Sequence, residues 1–242
     1  AMKSGMVAAE QLFAALKPAE DGAEALVLAD RDPVDHGCSC AVECVVADLA
    51  DPTSPDSLIA TACQRFGRID GLVNAAGLTT RAGFADARPE IWDRLFAVNA
   101  RAPFFLMVGA IADMKRRGAP GAIVNIQSMN AHCGAPDLAI YSATKGALQT
   151  LTKNAANAHL ADRIRVNGIN LGWVDTETER HLHAVTLGKG PGWLDEQASA
   201  QPLGRLVSAE ECARQAVWLL SPSSAPMTGV SVDLEQKVTG AP

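Results

Sequence analysis

The chain has 242 residues, 48% of them apolar and 20% charged, with a formal net charge of −6. That length and balance suit one folded α/β domain with a sizeable core, and the negative charge argues against nucleic acid or an anionic membrane surface as partner. No apolar run approaches the ~18 residues of a membrane span, no signal peptide precedes the first predicted helix, and six scattered cysteines without zinc spacing read as reduced thiols of a cytoplasmic protein, with no metal expected.

Taken in chain order, Ala1-Met2-Lys3-Ser4-Gly5-Met6-Val7 runs into a predicted helix over Ala8 to Leu16. Ala25-Leu26-Val27-Leu28-Ala29 reads as a buried strand ending in Asp30, and Val45-Val46-Ala47 as a short one ending in Asp48. A helix is predicted over 55–66, starting at Pro55, and a strand from Ile69 to Asn74. Pro89 to Arg117 carries helical apolar spacing at Ile91, Leu95, Val98, Phe105 and Val108, long enough to bend or to serve an interface. A strand follows over Gly121 to Gln127, a helix over Tyr141 to Ala158 and a strand over Ile164 to Ile169. A helix over 208–220 and a last strand at Val230-Ser231-Val232 complete the series. Apolar strands alternating with helices predict a doubly wound parallel sheet of Rossmann type, with ligands at the carboxyl ends of the strands. No repeat, low-complexity tract or linker divides 1–242, so a single domain is expected.

Polar residues fall where such a sheet places a site. Asp30, Asp48, Asn74, Ser128 and Asn170 each close a predicted strand. Asp30 is placed to accept hydrogen bonds from an adenosine ribose, and its charge repels a 2′-phosphate, which favours NAD over NADP. Arg31, on the other face of the strand, argues less strongly for NADP. Asp48-Leu49 offers a partner for an adenine amine, or only a cap for its loop. Asn74-Ala75-Ala76-Gly77 lets backbone come close to a ligand because its side chains are small.

Tyr141, the only tyrosine, precedes Lys145 by one helical turn, so the two share a face. An ammonium at ~4 Å favours phenolate by about 4 kcal/mol at an effective dielectric near 20, or roughly three pKa units, before solvent and desolvation erode it. That bias would set the phenol up as a general acid and base.

These residues, with Asn99 in Val98-Asn99-Ala100, Ser128, Arg165-Val166-Asn167, Gly172 through Thr176 and Met227-Thr228-Gly229, resemble the short-chain dehydrogenase/reductase family from Gly5 to Gly229. The resemblance implies hydride transfer between a nicotinamide cofactor and an alcohol or carbonyl carbon. It implies Tyr141 as acid/base, Lys145 as ribose ligand and modulator of Tyr141, Ser128 as partner of the substrate oxygen, and Asn99 as holder of a water on the proton path. Gly172, Val174 and Thr176 fall in the cofactor-contacting motif, with Thr176 against the nicotinamide carboxamide. A homo-oligomer, dimer or tetramer, is expected through the helices bearing Asn99 and Tyr141.

Three departures stand out. Gly5 matches one glycine of the family's pyrophosphate turn, Val7 stands where another belongs, and the first strand is missing, so a truncated start is expected to expose two sheet edges. A catalytically impaired, binding or structural protein is the alternative this raises. Leu171 replaces a proline before Gly172, and the tail Asp233 to Pro242 is not glycine-rich. The expected substrate loop, about 177–201, and Met129 to Leu138 are polar, suiting a sugar or polyol. Asn130 and His132 are the preferred substrate contacts among Glu177, Glu179, Arg180, His181, His183 and Trp193.

Overall fold

The structure is a computed structural model and describes residues 23–33, 40–132 and 134–239. Its strands are β1 (Ala25–Asp30), β2 (Ala41–Val46), β3 (Gly71–Asn74), β4 (Gly121–Ser128), β5 (Ile164–Leu171), β6 (Val174–Asp175), β7 (Val207–Ser208) and β8 (Ser231–Leu234). Every pairing is parallel, in three ladders ordered β1-β2, β3-β4-β5-β8 and β6-β7. Parallel ladders need helical crossovers that cover both faces. Accordingly β4 is buried from Ala122 to Ser128.

The helices are α1 (Ser54–Phe66), α2 (Pro89–Phe96), α3 (Ala102–Arg117), α4 (Ala139–Ala158), α5 (Glu177–His181), α6 (Trp193–Ser199) and α7 (Ala209–Leu220). α1 and α3 each end on a glycine in the left-handed region, Gly67 at φ 77° and Gly118 at φ 62°, where a side chain would be strained. Alternation along β4 sends Val124 and Ile126 to a core with Ala213, Ala216 and Leu219 of α7. Ile123 goes to the opposite core, with Met107, Ala110, Ile111 and Met114 of α3. A third core joins Leu58, Leu95, Val98, Leu106 and Ile140, with Ala29, Val45 and Leu72 packed against it, so it spans the two larger ladders.

The fold class is the expected one, a parallel α/β sheet flanked by helices. Among the described residues, β1 pairs only with β2 and β3 only with β4. Gly5 and the helix expected over Ala8 to Leu16 lie outside the described residues. One expectation about apolar runs needs correction. Pro89–Arg117 is a single 29-residue helical stretch that is long and apolar enough, by length and composition alone, to cross a membrane. Asn99 and Arg101 interrupt the apolar run in the sequence and conceal it. In the fold 61% of its most apolar window is buried, where Leu95, Leu106, Met107 and Met114 fill the two cores on this side of the sheet.

Candidate active site

β4 delivers Ser128 to its carboxyl end, and α4 presents Tyr141 and Lys145 one turn apart beside it. All three are buried. Ser128 Oγ accepts from the Asn130 N–H at 3.1 Å and from Asn130 Nδ2 at 3.4 Å. Those contacts occupy the oxygen's lone pairs, so its own proton is free, and the hydroxyl favours the phenolate of Tyr141 beside it. Lys145 Nζ donates to the Ile126 carbonyl at 2.8 Å and lies 5.8 Å from the Tyr141 ring centroid.

The electrostatic balance at Tyr141 corrects the sequence-based expectation. Removal from water pushes the phenol up to about 12, against the opposing hydrogen bond from Ser128 and with the charge of Glu179 adding to the rise. Burial also brings the Lys145 ammonium down to about 8. Desolvation penalises both charged forms, and in this closed site it exceeds what the pair's spacing suggests. The lysine's proton goes to a backbone carbonyl, so its charge is spent partly on Ile126.

Asn99 sits in a π-helical turn, Ala97–Arg101, that joins α2 to α3 and turns the amide inward. Its Oδ1 accepts from the Leu78 N–H at 2.8 Å, and Nδ2 donates to Leu78 O at 2.9 Å and Thr144 Oγ1 at 3.0 Å. Both amide hydrogens are therefore committed. Here the side chain pins the loop after β3 to α4. That loop brings Gly77 against the site: a Cβ there would lie 3.4 Å from Lys145 Nζ and 3.6 Å from Asn99 Oδ1.

A cavity of about 420 Å³ opens at this point. Of the expected residues, Ala75, Gly77, Ser128, Asn130, Tyr141, Lys145, Gly172, Val174 and Thr176 line it. Thr176 also accepts from the Glu179 N–H at 3.2 Å, starting α5. The Glu235 carboxylate lies so close over Gly172 that a Cβ there would be 2.3 Å from Oε2.

The other expected residues sit elsewhere. Asn74 Nδ2 donates to Asn125 Oδ1 at 2.7 Å beneath the cavity, and Ala76 packs against the third core. His132 does not line the cavity. Its Nε2 meets Asp233 Oδ1 at 3.0 Å and Asn170 Nδ2 at 3.1 Å, because β8 brings Asp233 beside the end of β5. Asp48 accepts from the Ala50 N–H at 2.9 Å and pairs with Arg94 at 3.0 Å, which makes it the loop cap, and Leu49 is core. Asp30, at the end of β1, is 5% exposed; Oδ1 accepts from Asp32 N–H at 3.1 Å, while Oδ2 is buried with no partner among the described residues.

The structure adds Arg81, Trp173 and Glu235 to the lining, and it selects Glu179 and His183 from the polar loop residues. Nothing in the spacing of Arg81 or Trp173 marks them, because their place depends on loops meeting in space.

Comparison with known proteins decides the family. The profile described as Enoyl-(Acyl carrier protein) reductase matches residues 14–235. The chain belongs to the short-chain dehydrogenase/reductase family. It is 34% identical over 191 residues to "Carbonyl reductase [NADPH] 2" of Sus scrofa, a span of 79% of this chain and 75% of that protein. It is 29% identical over 227 residues to "L-rhamnose 1-dehydrogenase (NAD(P)(+))" of Sphingomonas sp. (strain SKA58), covering 90% and 87%. The short-chain dehydrogenase/reductase fold is shared with L-sorbose reductase from Gluconobacter frateurii, solved with NADPH and L-sorbose. That likeness has a TM-score of 0.86 and 29% identity over 99% of this chain and 94% of that one.

Proposed function

We propose that the chain is an NAD(H)-dependent oxidoreductase of secondary alcohols or ketones, with a small polar substrate such as a sugar or polyol. The observation that carries this reading is the meeting of buried Ser128, Tyr141 and Lys145 on the wall of one cavity at the carboxyl ends of parallel strands. Rhamnose and sorbose in the relatives' names support a hydroxylated substrate.

The residues present fit a nicotinamide dinucleotide. Among the described residues Asp30 Oδ2 is a buried acceptor without a partner, where a ribose hydroxyl would supply the missing donor. Gly77, Lys145, Gly172, Val174 and Thr176 line the cavity where the nicotinamide end would rest. When bound, the cofactor supplies or accepts the hydride. The chain's own side chains handle the proton. Ser128 donates to the substrate oxygen while Tyr141 gives it a proton in reduction or takes one in oxidation, so that charge does not build up on that oxygen. Tyr141 held as neutral phenol is ready to act as the acid in reduction. A carboxylate at Asp30 opposes a 2′-phosphate, which supports NAD over NADP. The proposal extends to a cytoplasmic homo-oligomer: Phe104, Phe105 and Val108 are exposed on one stretch of α3.

Fluorescence titration with NADH and NADPH, followed by turnover of a polyol and sugar panel, tests the reading. NADH should bind more tightly, and Tyr141→Phe should lower kcat by at least about a hundredfold with folding and NADH affinity retained. Undiminished turnover in Tyr141→Phe would show that the proton takes another route. Failure of the intact chain to bind either cofactor would support a catalytically idle protein.

A further inference from the structure

The segment after β8 brings a carboxylate to the cavity wall. β8 pairs with β5 so that Leu234 stands opposite Leu171, and the Gly172 N–H donates to the Leu234 carbonyl at 3.0 Å. Glu235 follows directly, and both it and Gly172 line the cavity. Gln236 fixes the chain on the other side. Its Nε2 donates to the Arg205 carbonyl at 2.6 Å, and its Oε1 accepts from the Leu203 N–H at 2.9 Å. With the backbone held on both sides, the Glu235 side chain folds onto Gly172. A Cβ on Gly172 would lie 2.3 Å from Oε2, 2.6 Å from the carboxyl carbon and 3.0 Å from Oε1. The absence of a side chain at Gly172 is what gives the carboxylate its room.

Only one of its oxygens is engaged. Oε1 accepts from the Gln236 N–H at 2.5 Å; among the described residues Oε2 has no donor, and no cation pairs with the group. The other charged side chains on the wall are occupied. Arg81 pairs with Asp137, Lys145 donates to the Ile126 carbonyl, and Glu179 accepts from Trp173 Nε1. Glu235 is half-buried, so its charge is only partly screened by water and its field falls on whatever fills the cavity beside Gly172. That is where the nicotinamide end would rest. The oxidised nicotinamide ring is a cation and the reduced ring is neutral, while the riboses and phosphates are common to both forms.

We propose that Glu235 is a charge-selecting residue, which makes the site hold NAD+ more tightly relative to NADH than a neutral wall would. This deepens the reading of the site as a nicotinamide-dependent oxidoreductase and rests on it. In reduction the ring becomes positive as hydride leaves for the carbonyl carbon. A carboxylate beside it favours that direction, the one for which the neutral Tyr141 phenol supplies the proton.

The test measures Kd for NADH by fluorescence titration and for NAD+ by competition with NADH, on the intact chain without substrate. The proteins are the wild type, Glu235→Gln, Glu235→Ala and a control, Glu90→Gln, whose carboxylate is exposed in the first turn of α2. Glu235→Gln keeps the side chain's shape and Glu235→Ala removes it, so a shift common to both reports the charge. Contacts to the shared riboses and phosphates cancel in the ratio of the two Kd values. Kd for NAD+ over Kd for NADH should rise at least about threefold in both Glu235 variants, the scale of one partly solvated charge, and stay constant in Glu90→Gln. An unchanged ratio in Glu235→Gln, a rise confined to Glu235→Ala, or an equal rise in Glu90→Gln overturns the role of Glu235 and leaves the oxidoreductase reading standing. A folded wild type that binds neither form overturns the functional reading, and the inference with it.

Discussion

At Tyr141 a hydroxyl from Ser128 favours the phenolate, yet loss of water holds the phenol at about 12. The sequence spacing of Tyr141 and Lys145 reveals which groups meet, because one helical turn fixes that locally. It does not reveal how dry the site is, which depends on loops arriving from β3, β5 and α5. The same limit hid Asn130 and His132 from each other's fates: both follow Ser128 closely, but only Asn130 lines the cavity, since Asp233 on β8 captures His132. His183 shows burial acting on stability. It is 1% exposed, and burial, reinforced by Lys189 and Arg81 against Asp137, lowers its pKa to about 4. An unfolded histidine titrates near 6.5, so between those values the unfolded chain binds a proton that the folded chain refuses. Stability contributed by this neutral ring is complete above pH 6.5 and falls as pH drops toward 4, by at most about 3 kcal/mol. Comparing urea unfolding at pH 7.5 and pH 5, the wild type should lose about 2 kcal/mol more than His183→Leu. Equal pH dependence in the two proteins would show that the ring is not held neutral.

Elements were legible where their signals are local. The helix expected over 208–220 is observed as α7, Ala209–Leu220, because Ser208 caps it. Ser208 Oγ accepts from the Glu211 N–H at 3.2 Å, and the Glu211 carboxylate accepts from the Ser208 N–H at 2.9 Å, a reciprocal capping box. Arg205 completes it with a two-pronged grip on Glu211 at 2.9 and 2.8 Å, and together these hold that carboxyl down at about 2. The π turn at Ala97–Arg101 was not legible, since one extra residue barely disturbs helical apolar spacing. Strand order was not legible either, because pairing partners lie far apart in sequence, as with Asn125 opposite Gly168. Ser208 also sits at the end of the β6–β7 ladder beside the Thr176 segment, so its cap steadies one rim of the cavity. Ser208→Ala should cost about 1 kcal/mol, read as a lower urea midpoint with an unchanged slope. A midpoint within error of the wild type would mean that the Glu211–Arg205 pair holds the helix start unaided.

Across the whole molecule, the described strands fall into one ladder of four, the β1–β2 pair and the short β6–β7 pair. The four-stranded part has apolar helices on both faces, and β4 and β5 are almost continuously buried. β1 and β2 are mostly half-buried or exposed along their length, and among the described residues their attachment runs through one shared core around Leu58 and Leu95. A two-stranded parallel ladder has few hydrogen bonds to lose and gains little stability by itself. Opening of β1–β2 should therefore require less free energy than opening of β4 and β5, whose amides should exchange only through global unfolding. Hydrogen–deuterium exchange with peptide-level readout measures this directly. It also tests the cofactor assignment, because Asp30 closes β1. A ligand seated on Asp30 must add protection there by mass action, about 2.7 kcal/mol at a hundred times its Kd. NADH at that concentration should slow exchange in Ala25–Asp30 by that factor if their opening releases the ligand, and in β4 by the same factor through global unfolding. Uniform exchange across both ladders would show that they open as one unit, and slowing confined to β4 and β5 would remove Asp30 from the cofactor's binding site.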